Sequence, residues 1–515
     1  MKKTFTIIIS TFKWLSIAIG LPIVLWLSYS AFVSAFGSSG TDVSKKDLDF
    51  KFTLKETAKP DKLPNILLIN ADDLGYGDLS CYGSTCIQTP NIDKIATNGL
   101  KFINHYTSGA VCSPSRAGLM TGRYPLRSGF TSIATPDDWV FELKFVNRIG
   151  KLFNYVGVSD HGQDSYVNGL PHKEITIAEA LKQRDYATGA AGKWHLGDFK
   201  HVPEFNPMRH GFDDWLGINS ANDERPVALL DQYKVVRDNI LDNQEDFTQL
   251  FAERAMSFME KNKEKPFFYY LAFTAAHQPL LPSANFKGKS KGGVFGDVVQ
   301  EMDFYVGKVL ESLEKQGLAD NTIVLFTSDN GPWFEGSSGG LRGGKGQPFD
   351  GAFKVPLLVS WKNHIAPNTS TTARVSNMDL FPTLLSVAGL TPPEDRIIDG
   401  KNIIDILTGK SQASSHDKLF FYHYEDPAAV LVDGWKYYPN ANTYVWPVPV
   451  NRRGNFSELT TRKLMGDLDK TLFNLNQDPN EDYNVSHHYP SKVDSMQRLI
   501  DDWKASMAAN QAGWK

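Results

Sequence analysis

Short runs of consecutive apolar residues alternate with longer amphipathic segments along most of the chain. The runs at 65–70 (NILLIN) and 322–326 (TIVLF) have the length and continuity of strands that are buried on both faces of a sheet. A helix is predicted near 246–262, and apolar residues recur at helical spacing over 298–313. Because strands alternate with helices, the pattern predicts an α/β fold in which helices flank a large, mostly parallel sheet.

Local signals place further elements in this pattern. Thr89 and Pro90 form a helix start, with a capping residue followed by proline at the first helical position. Thr176 and Glu179 form a capping box for a second helix. The same criteria predict strands at 186–190 and 266–273, a helix at 376–389, hairpin strands around 420–424 and 430–438, and a last helix at 491–508.

Four of the predicted strands end in polar residues that are common in active sites. These residues are Asp72 with Asp73, Lys193 with His195, His277, and Asp329 with Asn330. Parallel α/β sheets bind ligands at the carboxyl ends of their strands. We therefore expect these side chains to converge at one edge of the sheet.

The length of 515 residues exceeds one compact core, so a large domain and a smaller one are expected. We predict a polar linker at 37–63, a large α/β domain at 64–406, and a smaller C-terminal α+β subdomain with an antiparallel sheet at 407–515. The chain has 54 basic and 58 acidic residues, for a net charge of −4. This near-neutral balance argues against a nucleic-acid partner. It does not exclude a local cluster of positive charge that binds a small anion.

Residues 1–36 have the pattern of an export segment, since Lys2 and Lys3 precede an uncharged stretch from Trp14 to Phe36. The stretch is long enough to span a bilayer, while the small residues at 33–35 provide a cleavage site. Both a cleaved signal peptide and a retained membrane anchor stay open. Either one predicts passage through the export machinery to a periplasmic, secreted or outward-facing anchored location.

The third cysteine of the chain, Cys112, lies in the run VCSPSRAGLMTGR at 111–123. A buried, inert cysteine near a helix start is one interpretation. The run as a whole resembles the signature of type I, formylglycine-dependent sulfatases, which are arylsulfatase-like members of the alkaline-phosphatase superfamily. The resemblance implies that a maturation enzyme converts Cys112 to formylglycine, whose hydrate attacks sulfate esters. The other two cysteines, Cys81 and Cys86, leave a local disulfide open.

A metal site is predicted from the carboxylates and the amide at two of the strand ends. Asp72, Asp73, Asp329 and Asn330 offer oxygen ligands, which suit Ca²⁺, and less well Mg²⁺, rather than zinc. Either pair alone would fit a solvated turn. Together the segments DDLGYGD at 72–78 and SDNG at 328–331 resemble the sulfatase motifs that carry the divalent-ion ligands.

The resemblance also implies roles for five further residues. Arg116, one helical turn after the nucleophile, would stabilise the formylglycine hydrate. In the segment GKWHLG at 192–197, Lys193 would bind sulfate and His195 would lie beside the nucleophile. His277 would protonate the leaving alcohol, and Lys345 of the segment GGKG would bind sulfate.

The chain departs from the family pattern after Lys345. The family has Glu-Gly-Gly and an arginine before Val-Pro, whereas this chain has Asp350-Gly351-Ala352-Phe353-Lys354. The support of the lysine loop is therefore expected to differ. Some members of the family have a substrate-facing serine at the position that corresponds to Ala221 of this chain. We assign no catalytic role to Ala221.

The sequence as a whole predicts a sulfatase that acts on a sulfated small molecule or glycan, with a sulfated carbohydrate or polysaccharide fragment favoured. Two alternatives stay open. One is a phosphomonoesterase or phosphonate hydrolase of the same superfamily. The other is a non-catalytic, glycan-binding protein on a sulfatase scaffold, in which Cys112 would remain unmodified.

Overall fold

The central strands of the large sheet are those with the longest apolar runs. The ten strands are β1 (Asn65–Ala71), β2 (Leu100–Tyr106), β3 (Ala187–Lys193), β4 (Asp214–Ile218), β5 (Leu229–Asp231), β6 (Lys234–Arg237), β7 (Phe267–Ala272), β8 (Thr322–Ser328), β9 (Leu357–Trp361) and β10 (Thr369–Ser376). Their order across the sheet is β10-β2-β9-β8-β1-β7-β3-β4-β5-β6. Strands β8, β1, β7, β3 and β4 are parallel to one another, so their carboxyl ends share one edge.

This computed structural model describes residues 50–57, 62–134, 169–199, 202–224, 227–423, 426–440 and 469–515. The predicted export segment at 1–36 lies outside these residues. Within the described part, none of the helices combines the length and the apolar character needed to cross a membrane.

Helices cover both faces of the sheet. The α-helices are α1 (Pro90–Thr97), α2 (Cys112–Thr121), α3 (Pro125–Ser128), α4 (Ile177–Lys182), α5 (Phe247–Lys261), α6 (Gly293–Lys315), α7 (Asp350–Phe353), α8 (Leu380–Val387), α9 (Ile404–Leu407) and α10 (Pro490–Ala509). On one face, Leu67 and Ile69 of β1 share a core with Phe251 of α5 and Met302 of α6. The alternate residues of β1 are buried as well, which explains why the strand is apolar at successive positions.

The start and end signals in the sequence coincide with the observed helices. Thr176 accepts a hydrogen bond from the backbone of Glu179, whose side chain returns one, so the predicted capping box is present at α4. Helix α5 lies between Asp246 and Asn262, the residues at which it was predicted to begin and end. These predicted elements are confirmed. They could be predicted because their start and end signals are local in the sequence.

A second, four-stranded antiparallel sheet follows. It consists of β11 (Lys418–His423), β12 (Asp426–Val432), β13 (Trp435–Asn440) and β14 (Asp469–Asn474), in that order. Phe421 and Leu431 of this sheet share a core with Tyr106 of β2 and Phe353 of α7. Residues 50–515 consequently form one compact unit, and the predicted fold class is confirmed.

Residues 50–57, at the end of the predicted linker, pack against the body of the protein. Leu54 is buried, and its N–H donates to Oε1 of Gln183 at 2.9 Å. The N–H of Thr57 donates to the carbonyl oxygen of Gly389 at 2.9 Å. The alternating apolar residues Phe50, Phe52 and Leu54 within the otherwise polar segment account for this packing.

Candidate active site

All ten residues predicted for catalysis or metal binding lie in or beside one buried cluster at the carboxyl edge of the large sheet. None is more than 9 % exposed. They are Asp72, Asp73, Cys112, Arg116, Lys193, His195, His277, Asp329, Asn330 and Lys345. The parallel pairing of β1 with β7 and β8, and of β7 with β3, brings the four strand ends together.

The backbone fixes Asp72 and Asp73 at the end of β1. The N–H of Asp72 donates to the carbonyl oxygen of Ala275 at 2.9 Å, and its own carbonyl accepts from the N–H of Ala276 at 2.7 Å. This exchange holds the segment that carries His277 against the aspartates. Asp73 has a φ of 58°, a left-handed conformation that aspartate tolerates better than most residues.

Cys112 is the first residue of α2 and lies against the aspartates. Its Sγ is 3.4 Å from Oδ1 of Asp72 and 3.4 Å from Nζ of Lys193. Burial raises the pKa of the Cys112 thiol, while Lys193 opposes this shift. An unmodified thiol in this place is therefore protonated and a poor nucleophile.

Arg116, one turn further along α2, joins three strand ends. Its Nε donates to Oδ2 of Asp329 at 2.8 Å, and its Nη2 lies 2.8 Å from the same oxygen. Its Nη1 donates to the carbonyl oxygen of Lys193 at 2.7 Å and lies 3.4 Å from the hydroxyl oxygen of Tyr270. A permanent positive charge is thereby held where these strands end, one helical turn from Cys112.

The two lysines each contact one carboxylate of the Asp72–Asp73 pair. Nζ of Lys193 donates to Oδ2 of Asp72 at 2.6 Å, and Nζ of Lys345 donates to Oδ2 of Asp73 at 2.9 Å. Burial by itself raises the pKa of Asp72, but Lys193, His277 and Arg116 together hold it well below its usual range. Asp72 is therefore ionised and available as a ligand.

The donor atoms of the cluster fit a divalent cation. Single atoms of Asp72, Asp73, Cys112 and His277 all lie within 4.8 Å of one another. Asn330 donates its amide N–H to Oδ1 of Asp73 at 2.8 Å, whereas its own Oδ1 is buried and has no hydrogen-bond partner within the described part of the chain. An orphaned amide oxygen beside two carboxylates is the oxygen-rich donor set that calcium or magnesium uses.

Asp329, predicted as a metal ligand, has both of its oxygens engaged by the protein. Oδ2 contacts Arg116, and Oδ1 accepts from the N–H of Asp73 at 3.2 Å and from that of Asn330 at 2.9 Å. Asp329 thus lies next to the donor set and bonds Arg116 and the backbone of residues 73 and 330.

The two histidines differ in which nitrogen the protein engages. Nε2 of His195 lies 3.1 Å from the carbonyl oxygen of Ala134, while its Nδ1 is buried without a partner. Nδ1 of His277 lies 2.6 Å from the carbonyl oxygen of Gln278, which directs Nε2 to within 3.7 Å of Oδ2 of Asp73. Burial and then Lys193 lower the pKa of His195, and burial and then Lys345 lower the pKa of His277.

Two supporting residues were missed by the sequence analysis. Tyr270 reaches Arg116 from β7, and Asn377 donates to the carbonyl oxygen of Ser115 in α2 at 3.1 Å. Tyr270 lies in the aromatic run FFYY, where nothing distinguishes it from core residues. Asn377 is the second residue of the helix predicted at 376–389, so its sequence position suggests only a helix start.

Both unassigned cysteines are free, so the disulfide that the sequence left open is absent from the structure. Cys81 is partly buried, and its backbone N–H donates to Oδ1 of Asp93 at 3.2 Å. Cys86 is exposed.

Comparison with known proteins agrees with this geometry. The sequence profile of the Sulfatase family matches residues 64–390, and the profile of the C-terminal region of N-sulphoglucosamine sulphohydrolase matches residues 345–438. Human N-acetylgalactosamine-6-sulfatase is 34% identical over 469 residues, with 85% of this chain and 84% of that protein covered. Rat steryl-sulfatase is 34% identical over 475 residues, with 76% and 77% covered.

A solved structure shares the architecture over nearly its whole length. It comes from work on the metabolism of multiple glycosaminoglycans by Bacteroides thetaiotaomicron, has a TM-score of 0.69 at 27% identity, and covers 86% of this chain and 99% of that one. The family profile spans more than half of the chain, and it includes the nucleophile region and all four strand ends. The chain therefore belongs to the sulfatase family and is a sulfuric ester hydrolase.

Proposed function

We propose that this sulfatase removes sulfate from a sulfated carbohydrate, with a formylglycine made from Cys112 and a bound calcium ion. The observation that carries the proposal is the position of Cys112. Its Sγ lies 3.4 Å from Oδ1 of Asp72 and 3.4 Å from Nζ of Lys193. Residue 112 is therefore between a carboxylate that could bind a metal ion and an ammonium group that could bind sulfate. Formylglycine would supply two hydroxyls as its hydrate, one to attack sulfur and one to expel sulfate.

Charge balance supports a sulfate-binding role for the lysines. The cluster holds three carboxylates, at Asp72, Asp73 and Asp329, and three permanent cations, at Arg116, Lys193 and Lys345. These fixed charges cancel, so the positive charge of a divalent ion would remain for an anion to neutralise. Preorganised positive charge of this kind stabilises a sulfuryl group as charge develops on its oxygens and on the leaving oxygen.

His277 is proposed as the acid for the leaving alcohol. Gln278 fixes the ring through Nδ1, which leaves Nε2 directed into the cluster near Asp73. In the free protein, burial and Lys345 lower the pKa of His277. A bound anionic ester adds negative charge beside the ring and therefore favours the protonated form that can donate.

His195 is proposed as the base for sulfate release. With Nε2–H directed at the carbonyl oxygen of Ala134, the ring presents Nδ1 as an acceptor. Among the described residues that nitrogen has no partner, and it is buried, so it can take a proton from a hydroxyl at residue 112.

We propose that the alcohol half of the sulfate ester is a carbohydrate. The reason is that the segment after β4 is polar where it adjoins the segment of Lys193 and His195. The N–H of His195 donates to the carbonyl oxygen of Asn219 at 2.9 Å, and the following Ser220, Asn222 and Glu224 are buried. In the ranges that the structure describes, Oδ1 of Asn222 and Oε2 of Glu224 have no hydrogen-bond partner. Unpaired acceptors suit the hydroxyls of a sugar better than an apolar ring system, and one of the relatives is named for a sulfated amino sugar.

The proposal includes the location and the partners of the protein. Residues 1–36 would direct the chain to the export machinery, as a cleaved signal or as an anchor, and a maturation enzyme would convert Cys112. Residues 64–406 would form the catalytic part and residues 407–515 the smaller subdomain.

Sulfate release from a panel of defined esters tests the proposed substrate class. The panel should contain O-sulfated and N-sulfated monosaccharides, sulfated oligosaccharide fragments, a steroid sulfate, and phosphate esters matched to the sulfated sugars. We expect the highest kcat/KM for a sulfated sugar and no release by the Cys112→Ala variant. Faster turnover of the steroid sulfate would reject the carbohydrate, and faster turnover of the phosphates would favour a phosphomonoesterase.

A further inference from the structure

The loop that carries Lys345 is held at both ends by one residue from the C-terminal segment, Glu481. At the start of the loop, Nη1 of Arg342 donates to the backbone carbonyl oxygen of Glu481 at 2.7 Å. At its end, the N–H of Asp350 donates to Oε2 of Glu481 at 2.8 Å. Glu481 is fully buried and 131 residues from Asp350 in the sequence, so the contact is purely tertiary.

The loop itself contains no helix or strand, and single hydrogen bonds fix its path, among them the bond from the N–H of Gly351 to the carbonyl oxygen of Arg342 at 2.8 Å. Gly343 and Gly346 both have a φ of 78°, and the loop lies outside the named helices and strands until Asp350. Between its ends, the N–H of Lys345 donates to the carbonyl oxygen of Pro332 at 2.9 Å, and that of Gly346 donates to the carbonyl oxygen of Ala110 at 2.8 Å. The loop thus bonds both the segment after Asp329 and the segment before Cys112. We expect the position of its backbone to depend on where its two ends are fixed.

Glu481 is held in turn by the small sheet. The hydroxyl of Tyr438 donates to its Oε1, and Nζ of Lys436 lies 3.5 Å from the same oxygen. Nζ of Lys436 also donates to Oδ1 of Asp350 at 2.5 Å. We call these four residues, Asp350, Lys436, Tyr438 and Glu481, the clasp. All four are buried, so the clasp is a rigid reference point for the loop.

We propose that Glu481 is a positioning residue for Lys345, through which the C-terminal subdomain sets the place of a sulfate-binding cation. The inference rests on the sulfate-binding role given to Lys345 in the proposed function. Nζ of Lys345 is 2.9 Å from Asp73, and the loop that carries this lysine is bonded to Glu481 at both of its ends. In active sites a displacement of about 1 Å can lower the rate by about 100-fold.

A double-mutant cycle between Glu481 and Lys345 tests the inference. We expect Glu481→Ala to lower kcat/KM by about tenfold to 100-fold in the wild-type background. In the Lys345→Ala background the same change should have almost no further effect, because the loop no longer carries the cation that it positions. Asp482→Ala is the matched control, since Asp482 is an exposed acidic residue next to Glu481 and its bond to Asp478 uses only the backbone N–H, which alanine keeps.

Glu481→Gln separates positioning from charge. The glutamine keeps the backbone carbonyl for Arg342 and a side-chain oxygen for the N–H of Asp350. The hydroxyl of Tyr438 can then accept from the amide and donate to the carbonyl oxygen of Pro348, which lies 3.3 Å away. We expect this variant to recover most of the activity lost in Glu481→Ala.

Three outcomes would overturn the inference. Equal losses from Glu481→Ala in both backgrounds would show that it acts on the whole site, and a Glu481→Gln variant as impaired as the alanine variant would exclude positioning by these hydrogen bonds. If Lys345→Ala keeps full activity, the proposed role of Lys345 fails first, and the inference falls with it. Should Glu481→Ala not fold, Arg342→Gln serves in the same cycle, because it releases the start of the loop and leaves the clasp intact.

Discussion

Among the buried clusters of charge in the described part of the chain, the active-site cluster and the clasp differ in how many of their polar atoms have a hydrogen-bond partner. In the clasp, Oδ1 of Asp350 accepts from Lys436 and Oδ2 accepts from Tyr106 at 3.0 Å, while Glu481 accepts from Tyr438 and from a backbone N–H. In the active-site cluster, by contrast, Oδ1 of Asn330 and Nδ1 of His195 have no partner. Unpaired buried polar atoms are costly unless a ligand completes them.

Burial and charge by themselves therefore do not distinguish a catalytic cluster from a structural one. What distinguishes the two here is the atoms left for a ligand. Loss of the Cys112 side chain from the active-site cluster should abolish turnover with a small effect on folding, whereas disruption of the charges in the clasp should lower the free energy of unfolding.

The largest expected effect on turnover is at Cys112. Peptide mass spectrometry of active protein should show an aldehyde in place of the thiol. The thiol is buried with a raised pKa, and it lacks the second hydroxyl by which the hydrated aldehyde would expel sulfate. Cys112→Ala should lower kcat by at least about 1000-fold. Its melting temperature should stay close to that of the wild type, since the side chain is small.

Cys86→Ser provides the control for this prediction. Cys86 is exposed and its Sγ lies 3.9 Å from the hydroxyl of Thr85, so serine fits there and activity should be unchanged. Full turnover by protein whose residue 112 remains a free thiol would reject formylglycine as the nucleophile.

Removal of the metal should have the next largest effect. A chelator should abolish sulfate release reversibly and lower the free energy of unfolding by about 3 kcal/mol, if the ion is normally present at about 100 times its Kd. Calcium should restore both better than magnesium. Asn330→Ala should weaken binding of the ion, because it removes the amide oxygen that has no other partner.

Asp185→Asn is a suitable control for the metal experiment, since Asp185 is exposed and distant in sequence from every predicted ligand. Metal content measured by elemental analysis should be unchanged in that variant. Equal metal content in Asn330→Ala and the wild type would remove Asn330 from the donor set.

Much of the fold and the site could be predicted because the signals are local. The runs that form β1 and β8 are continuous and apolar, the capping box of α4 lies within four residues, and strand topology places polar residues that end parallel strands at a common edge. Convergence of Asp72, His277 and Asp329 therefore follows from the pattern alone.

The clasp could not be predicted in the same way. Lys436 lies in the strand WKYYPN, where Lys436, Tyr437 and Tyr438 are all fully buried, so alternation gives no sign of which residue is paired. Its partners Asp350 and Glu481 come from distant segments. The departure of this chain from the family pattern after Lys345 pointed to a different support for the loop, but only the tertiary structure identifies that support.

The largest expected effect on stability is that of Lys436→Met. The variant leaves the carboxylates of Asp350 and Glu481 buried without their cation, which should cost about 3 to 5 kcal/mol. Lys418→Met, at an exposed position of the same sheet, should change the free energy of unfolding by less than about 0.5 kcal/mol. Equal stability of the two variants in urea unfolding would show that the clasp is not held by its charges.

The pH dependence of that loss distinguishes an effect of charge from an effect of packing. Burial raises the pKa of Glu481 from 4.5 to about 7, against the opposing effect of Lys436. The folded state thus binds more protons than the unfolded state between these values, so the stability contributed by this group falls as pH rises through that range. Without Lys436 the pKa of Glu481 rises further, and the fall continues to higher pH. The difference in unfolding free energy between Lys436→Met and wild type should consequently be smallest near about pH 5 and largest above about pH 7. A difference that is constant across this range would mean that Lys436 stabilises the clasp through packing alone.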